Sequence, residues 1–475
     1  MRIQHIFSLL LLFISACCTT QALSRTVFVP RSITFDSTYE LALTNYDIYH
    51  ALECQEQKVH LYITPFYQQS RNKRDIARYF LPGNKNCIKI KENGTGDIGS
   101  LWFSLLADTG ACFSSRACFA PRRKAYGVVF TAFFDFEPVW EGGWLALNTA
   151  LMGTEHTLGI TEQVYTRGML PYKHTACQAF ERNEQEHGRI TRRTLKKRGL
   201  DDIQVKLGYS HKFMSELHAG GYLVLGIPTS RTPQDEFLFE PVVGSNHAAL
   251  GFGLEGIYKF CESCQEQDLA FMADFKYLYV FKARERRSFD LKNGPWSRFL
   301  HISGAHRPYY SKPAINELSA CVEVKPRSTI DFWTAVHYKY NTCNFELGYN
   351  LWWRQQEQVC LPEFCAIKKY ALFDVTQALS PEPTSASTAQ IHQTLMGSRA
   401  IKSDKTRITL NKKIISKRSA EHPQALTHKI YAACATTYDV YCYPLLVSLG
   451  ASYEFTHCIS ALENWAIFVK LGSHF

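Results

Sequence analysis

Hydrophobic and polar residues alternate one by one along most of this chain. Between Asn344 and Arg354, Phe345, Leu347, Tyr349, Leu351 and Trp353 share one side, while Glu346, Gly348, Asn350, Trp352 and Arg354 share the other. Successive side chains on a strand point to opposite sheet faces, so this segment reads as a strand with an oily face and a wet face. The neighbouring stretch repeats it, with Phe332, Thr334, Val336, Tyr338 and Tyr340 against Asp331, Trp333, Ala335, His337 and Lys339. So does a later one, with Leu445, Val447, Leu449, Ala451, Tyr453 and Phe455 against Ser448, Gly450, Ser452 and Glu454. Noisier alternation runs through Lys58–Phe66, Tyr126–Phe136, Gly142–Leu151, Val205–Phe213, Gly221–Pro228, Ala248–Tyr258, Leu269–Phe281 and Glu317–Val324. With the terminal segment Trp465–Phe475 this makes about twelve strands, or about fourteen if Ser100–Leu106 and Arg407–Ile415 are admitted. At a helical period of 3.6 the same segments would mix charges into every face.

No stretch after residue 23 approaches ~18 consecutive apolar residues, which excludes a transmembrane helix from the pattern. Yet 46% of the residues are hydrophobic, with 31 Phe and 25 Tyr, so the apolar residues must be spread in alternation. A membrane barrel or a large soluble β protein does this. The start of the chain favours export. Met1-Arg2, an apolar run from Ile6 to Ala16 and small residues up to Ala22 have the order of a secretory signal, with cleavage expected after Ala22. A lipoprotein with Cys17 as the lipidated residue is the rival. The expected organisation is a signal at 1–22 and a barrel over 23–475, carrying a long loop insertion near 356–427 that includes the Pro- and Ser-containing stretch Thr376–Met396. The connection Ala283–Asn316 is also long, and strand parity stays open.

The terminal segment alternates up to Phe475, with Leu471, Val469, Ile467 and Trp465 on the same face. A terminal aromatic on an amphipathic strand is expected to act as an assembly signal. Here the chain resembles porin-like outer-membrane barrels of uncharacterised families in host-associated bacteria of the Dependentiae type. FELGYNLWWR (345–354), GASYEF (450–455) and NWAIFVKLGSHF (464–475) carry the resemblance, with WSRFL (296–300) and GTGDIGSLWF (94–103). The resemblance implies a location in the bacterial outer membrane and a closed antiparallel transmembrane β-barrel, all-β in class. It implies no substrate.

The net charge of +10 is concentrated in segments read as loops, Arg189–Arg198 and Lys402–Arg418. Nucleic acid is the first alternative for basic runs, and an exported chain without a recognition motif argues against it. Acidic lipid head groups or anionic solutes are the simpler partners. On the strands, alternation assigns Lys206, Lys212, Lys276, Lys339, Arg354 and Lys470 to the lumen, with Glu255, Asp274, Asp331, Glu346 and Glu454, and His337 beside them. That near balance predicts weak ion selectivity in an open pore. Leu347 on the oily face should reject a charge, and Glu346 on the wet face should tolerate one.

Of sixteen cysteines two lie in the signal, and the even remainder argues for disulfides after export. Closeness in sequence makes Cys112 with Cys118, Cys360 with Cys365 and Cys434 with Cys442 the candidate pairs. Cys261 and Cys264 form a lone C-x-x-C, which fits a loop staple better than half of a zinc site. Gly251-x-Gly253-x-x-Gly256 matches a dinucleotide fingerprint in spacing, but it alternates as a strand where that fold needs a helix. No nucleophile elbow, H-E-x-x-H or paired C-x-x-C set occurs, so neither an enzyme nor a cofactor or metal site is expected. The expected function is a passive outer-membrane pore for small hydrophilic solutes, in contact with lipid and the barrel assembly machinery and open to homo-oligomer formation. The alternatives are a plugged barrel that moves hydrophobic compounds, or a disulfide-linked structural or adhesive surface protein.

Overall fold

A computed structural model describes residues 24–475 apart from 47, 50–57, 93, 108–110, 137–138, 171–172, 182–183, 231, 261–266, 305–306, 362–369, 373–388, 393–411 and 441–442. The expected signal, Cys261, Cys264, Cys365, Cys442 and most of Thr376–Met396 lie outside the described residues. Twelve strands close into an antiparallel barrel in which each pairs with its chain neighbours and the first pairs with the last. They are β1 (Val59–Ser70), β2 (Arg122–Asp135), β3 (Gly143–Thr157), β4 (Leu195–Lys212), β5 (Leu217–Ile227) and β6 (Ala249–Lys259). The rest are β7 (Gln267–Val280), β8 (Arg327–Tyr340), β9 (Cys343–Arg354), β10 (Ala425–Val440), β11 (Tyr443–Thr456) and β12 (Asn464–His474). Closure gives every strand a partner on both sides and leaves no open edge facing lipid.

The connections settle the parity that the sequence left open. Those after β1, β3, β5, β7 and β9 span 71–121, 158–194, 228–248, 281–326 and 355–424, and all leave from one end. Those after β2, β4, β6, β8 and β10 are 136–142, 213–216, 260–266, 341–342 and 441–442, at the other end. The two suspiciously long connections therefore lie on the same side.

Three expected elements differ. Ser319–Lys325 is a strand, but it pairs with Ala283–Ser288 and Gln358–Cys360 outside the barrel. Its buried Val322 and Val324 face a loop-built core instead of the lumen or lipid, and period 2 cannot tell these media apart. Its place in the barrel belongs to β10, whose alternation is blunted because Ala433 and Ala435 face inward while Ala432 and Cys434 face outward. Ser100–Phe103 forms a 3-10 turn, and the described part of Arg407–Ile415 holds a turn leading into a two-residue strand.

Outward positions are exposed and apolar around the wall, as at Leu61, Leu223, Leu254, Phe271, Leu347 and Leu449. Phe475 is exposed on that outer face, and its backbone N–H donates to the Val59 carbonyl, closing the seam. Inward glycines make room for aromatics. A Cβ on Gly253 would lie 2.1 Å from the Tyr222 ring, and one on Gly450 would lie 2.2 Å from the Phe468 ring. Gly253 of the false dinucleotide motif thus leaves room for the Tyr222 ring against β6.

The long connections fold into a cap over their end of the barrel. Helix α1 (Ser37–Leu41) lies in the lumen, and helix α2 (Lys73–Phe80) with, among the described residues, four small sheets encloses a core with Trp102, Phe103, Phe113, Phe180, Trp296 and Phe299. The WSRFL and GTGDIGSLWF stretches belong to this core. Among the described residues a disulfide joins Cys87 to Cys118, directly opposed across Cys87–Lys91 and Ser114–Cys118. This corrects the pairing of Cys112 with Cys118. Register sets the partner, because facing positions on paired strands bring the Cβ atoms together and closeness in sequence does not. Cys112, Cys360 and Cys434 carry free thiols, and Cys365 and Cys442, the partners expected for the last two, lie outside the described residues.

Candidate functional site: a lumen filled by the N-terminal segment

The lumen is not the water-filled passage expected from the strands. Residues 24–46, with 48 and 49, run down its length. At the cap end the Arg25 N–H donates to the Tyr79 carbonyl and the Thr26 N–H to the Ser419 carbonyl. At the short-turn end the Tyr46 hydroxyl donates to Asp268 at 2.7 Å, and the Tyr46 ring stacks on His337 at 4.1 Å. Between them sits one helical turn, α1 (Ser37–Leu41), capped at its N-terminus by the Asp36 carboxylate accepting from the Thr38 N–H.

Arg31, Asp36 and Glu40 of this segment each meet an opposite charge on the wall. Arg31 pairs with Asp331 on β8 and donates to the Asn350 side chain at 2.8 Å. Asp36 pairs with Lys429 on β10 and lies 3.4 Å from Arg31. Glu40 reaches Lys206 on β4 at 2.5 Å and Lys276 on β7 at 3.7 Å, and it accepts from Gln204 at 3.0 Å. All are buried. A buried charge without a partner is strongly unfavourable, so this match fixes both the depth and the rotation of the segment.

Two further wall groups hold its backbone. Lys470 on β12 donates to the carbonyls of Glu40 at 3.1 Å and Ala42 at 2.7 Å, a cation on the C-terminal end of α1. Glu346 on β9 accepts the Leu43 N–H at 3.0 Å and the Tyr431 hydroxyl at 2.5 Å, and His337 lies 3.3 Å away. Leu43 sits at φ 63°, which bulky residues avoid, so Glu346 holds a strained turn in place.

The sequence-assigned lumen residues fall as follows. Lys206, Asp274, Lys276, Asp331, His337, Glu346, Arg354, Glu454 and Lys470 are buried on the inner face. Glu255 is half-buried there and accepts from the Ser210 hydroxyl at 2.6 Å. Lys212 is exposed and Lys339 half-exposed, because both lie at strand ends on the short-turn rim. Arg354 reaches above the lumen to His422 in the cap. Alternation alone missed Arg31, Asp36 and Glu40, which lie before the first strand and show no period.

Three small cavities, of about 20, 40 and 80 Å³, border this filling. The largest lies under the cap between Val29, Pro30, Phe35, Leu278, Val280 and Trp352, with Arg31, Arg354 and Glu285 at its edge. Beside it His247 hydrogen-bonds Glu285 at 3.0 Å, and Glu285 takes two bonds from Arg287. Burial opposes the charge on Glu285, but Arg287 and His247 prevail and hold it down at about 2. Burial would lower His247, and the Glu285 carboxylate reverses this and raises it. The Asp235 carboxyl is pushed up by burial to about 7, although the hydroxyls of Ser288 and Ser319 donate to it. One wall seam is interrupted: Thr64 and Pro65 of β1 lack ladder partners on β12, because proline has no N–H to donate.

No protein-family model matches the chain, and no curated protein is detectably similar to it. Among solved structures, an outer-membrane channel of Pseudomonas putida F1 is 8% identical, with a TM-score of 0.38 over 88% of this chain and 96% of its own. The Pseudomonas putida toluene transporter TodX is 7% identical, with a TM-score of 0.33 over 96% of this chain and 97% of its own. A FadL homologue of Pseudomonas aeruginosa is 8% identical, with a TM-score of 0.29 over 88% and 90%. The first is an outer-membrane channel by name and the second a toluene transporter, and the reading of the lumen rests on this chain's own residues.

Proposed function

We propose that this protein is a bacterial outer-membrane channel held shut by its own N-terminal segment. The observation that carries the reading is the one-to-one match of Arg31, Asp36 and Glu40 with Asp331, Lys429 and the pair Lys206 and Lys276. With the long connections outside and the short turns facing the periplasm, as such barrels are oriented, the cap lies at the cell surface. Passage then requires that the segment shift, and the passive, permanently open pore expected from alternation gives way to a gated one. Recordings of the full chain in planar bilayers test this. Wild type should stay closed for most of the record, and Asp36→Asn with Glu40→Gln should raise open probability at least about ten-fold, one lost buried ion pair being worth more than that. A steadily conducting wild type, or a variant that gates like wild type, overturns the reading.

A second observation bears on what passes. The cavity under the cap is apolar on most of its wall and charged at one edge. This favours a small amphipathic or apolar solute over a freely hydrated one, the plugged-barrel alternative raised by the sequence. Fluorescence of N-phenyl-1-naphthylamine titrated into the refolded protein should rise saturably and should fall with Trp352→Ala. No saturable binding returns the cargo to the hydrophilic class.

A further inference from the structure

The basic run that the sequence placed in a loop is partly in the barrel wall, and its position there has a chemical meaning. Lys196 and Arg198 belong to β4. They face outward because of a bulge. Thr149 pairs with Ile203 but Leu151 pairs with Leu200, so β4 carries one extra residue and Asp201 and Asp202 are both buried. Without that extra residue the parity of Ile203, Val205 and Leu207 would continue and would turn Lys196 and Arg198 inward.

Across β2, β3 and β4 the outer face changes row by row. Val128, Leu151 and Leu200 form a row in register, with Leu151 and Leu200 exposed. The next row towards the cap is Tyr126, Gly153 and Arg198, and the one above it is Lys124, Glu155 and Lys196. Lys196 meets Glu155 at 2.8 Å with its own side chain 59% exposed, and Glu155 also lies in the field of Lys124 and Arg198. Three cations thus surround one carboxylate, leaving two positive charges unmatched. Strands lie about 4.8 Å apart, so Lys124 and Lys196 stand roughly 10 Å apart with Arg198 one row below. Apolar, then aromatic, then cationic is the order in which a membrane presents acyl chain, interface and head group.

We propose that this three-strand surface docks a phosphate-bearing lipid of the outer leaflet, its acyl chains on Leu151 and Leu200 and its phosphate between Lys124, Lys196 and Arg198. The inference rests on the membrane reading above and does not depend on the channel or its cargo.

The full chain refolded into dodecyl maltoside tests it, with bis-phosphorylated lipid A, dephosphorylated lipid A and inorganic phosphate as probes and native mass spectrometry as readout. Wild type should retain the bis-phosphorylated lipid and hold the dephosphorylated form far more weakly, and millimolar inorganic phosphate should not displace it. Lys124→Gln with Lys196→Gln and Arg198→Gln should weaken retention roughly a hundred-fold. Glu155→Gln should strengthen it, a sign that a merely structural role does not predict. Lys282→Gln with Lys325→Gln, elsewhere on the cap side, should leave it unchanged. Equal retention by the triple variant, or weaker retention by Glu155→Gln, overturns the proposal. Displacement by inorganic phosphate overturns it as a lipid surface. Failure of wild type to insert into phosphatidylcholine vesicles overturns the membrane reading with it, whereas insertion with indifferent lipid A binding overturns this inference alone.

Discussion

Replacing Glu40 by Gln should loosen the N-terminal segment without opening the barrel wall. The carboxylate is the shared counter-charge of Lys206 and Lys276, both buried. The substitution keeps the shape and leaves two desolvated ammonium groups behind. Removing one partner of a buried pair costs about 3–5 kcal/mol, mostly because the survivor stays buried. The low end applies, since Asp274 shares part of the field of Lys206, whose ammonium also lies 4.6 Å from the Tyr222 ring. A loss of about 3 kcal/mol makes local opening roughly a hundred-fold more frequent.

Amide hydrogen exchange reads that quantity directly, because protection in a segment that opens locally reports its opening free energy. Amides from Thr34 to Asn45 should exchange about a hundred-fold faster in Glu40→Gln, while those of Phe345–Leu351 in β9 keep wild-type rates. Adding Lys206→Gln should recover part of the protection, because it removes one of the two stranded charges. Exchange within about two-fold of wild type, a uniform acceleration including the strands, or strictly additive losses in the double variant would refute the keyed-segment argument.

The remaining outcomes can be checked independently. Leu347→Arg places a cation on the lipid face and should cost about 2–4 kcal/mol in denaturant unfolding from lipid. Contrary to expectation from alternation, Glu346→Arg should also be costly, because Glu346 accepts from Leu43 and Tyr431 in the filled lumen. Without reductant, Cys112 should react with maleimide while Cys87 and Cys118 do not, and Cys118→Ser should destabilise the cap by about 2–4 kcal/mol in limited proteolysis while the barrel persists. Asp235 is held at about 7 against an ordinary 3.8, so the folded cap binds a proton that the unfolded chain releases. Cap stability should therefore fall as pH rises from about 4 through 7, by at most about 4 kcal/mol. His247, raised by Glu285 from 6.5, has the same sign but acts only above about 6.5, so with proteolysis followed from about pH 4 to 8 Asp235→Asn should flatten the lower part of the slope and leave a fall at its upper end.

Alternation made the wall legible because one medium covers each face, and a period of 2 records that contrast wherever it is strong. It failed where the contrast is weak or reversed. β10 was lost because alanine faces both ways. β4 read as starting at Val205 because the bulge at Asp201 and Asp202 flips the parity just before it. Glu317–Val324 reads as a wall strand because a cap core covers one strand face as well as a lipid bilayer does. Cysteine spacing misled for a related reason: a cross-strand disulfide depends on register, and Cys87 is far from Cys118 in sequence but opposite it in the sheet.

The filling of the lumen was written in the chain in a different form. An inner face for water needs polar side chains and room, but the inner face here includes Tyr62, Phe66, Trp144, Tyr222, Trp333 and Phe468, all buried. Rings of that size have no partner in an open pore and pack only against something solid. The balance of cations and anions on the same face has two physical meanings. With water in the lumen it gives weak ion selectivity. With a peptide in the lumen it is a socket, and then some segment must carry the complementary charges in matching order. Residues 24–49 have no strand period, and they present Arg31, Asp36 and Glu40 at the heights of Asp331, Lys429 and Lys206. The inward aromatics choose between the two meanings, and they choose the socket.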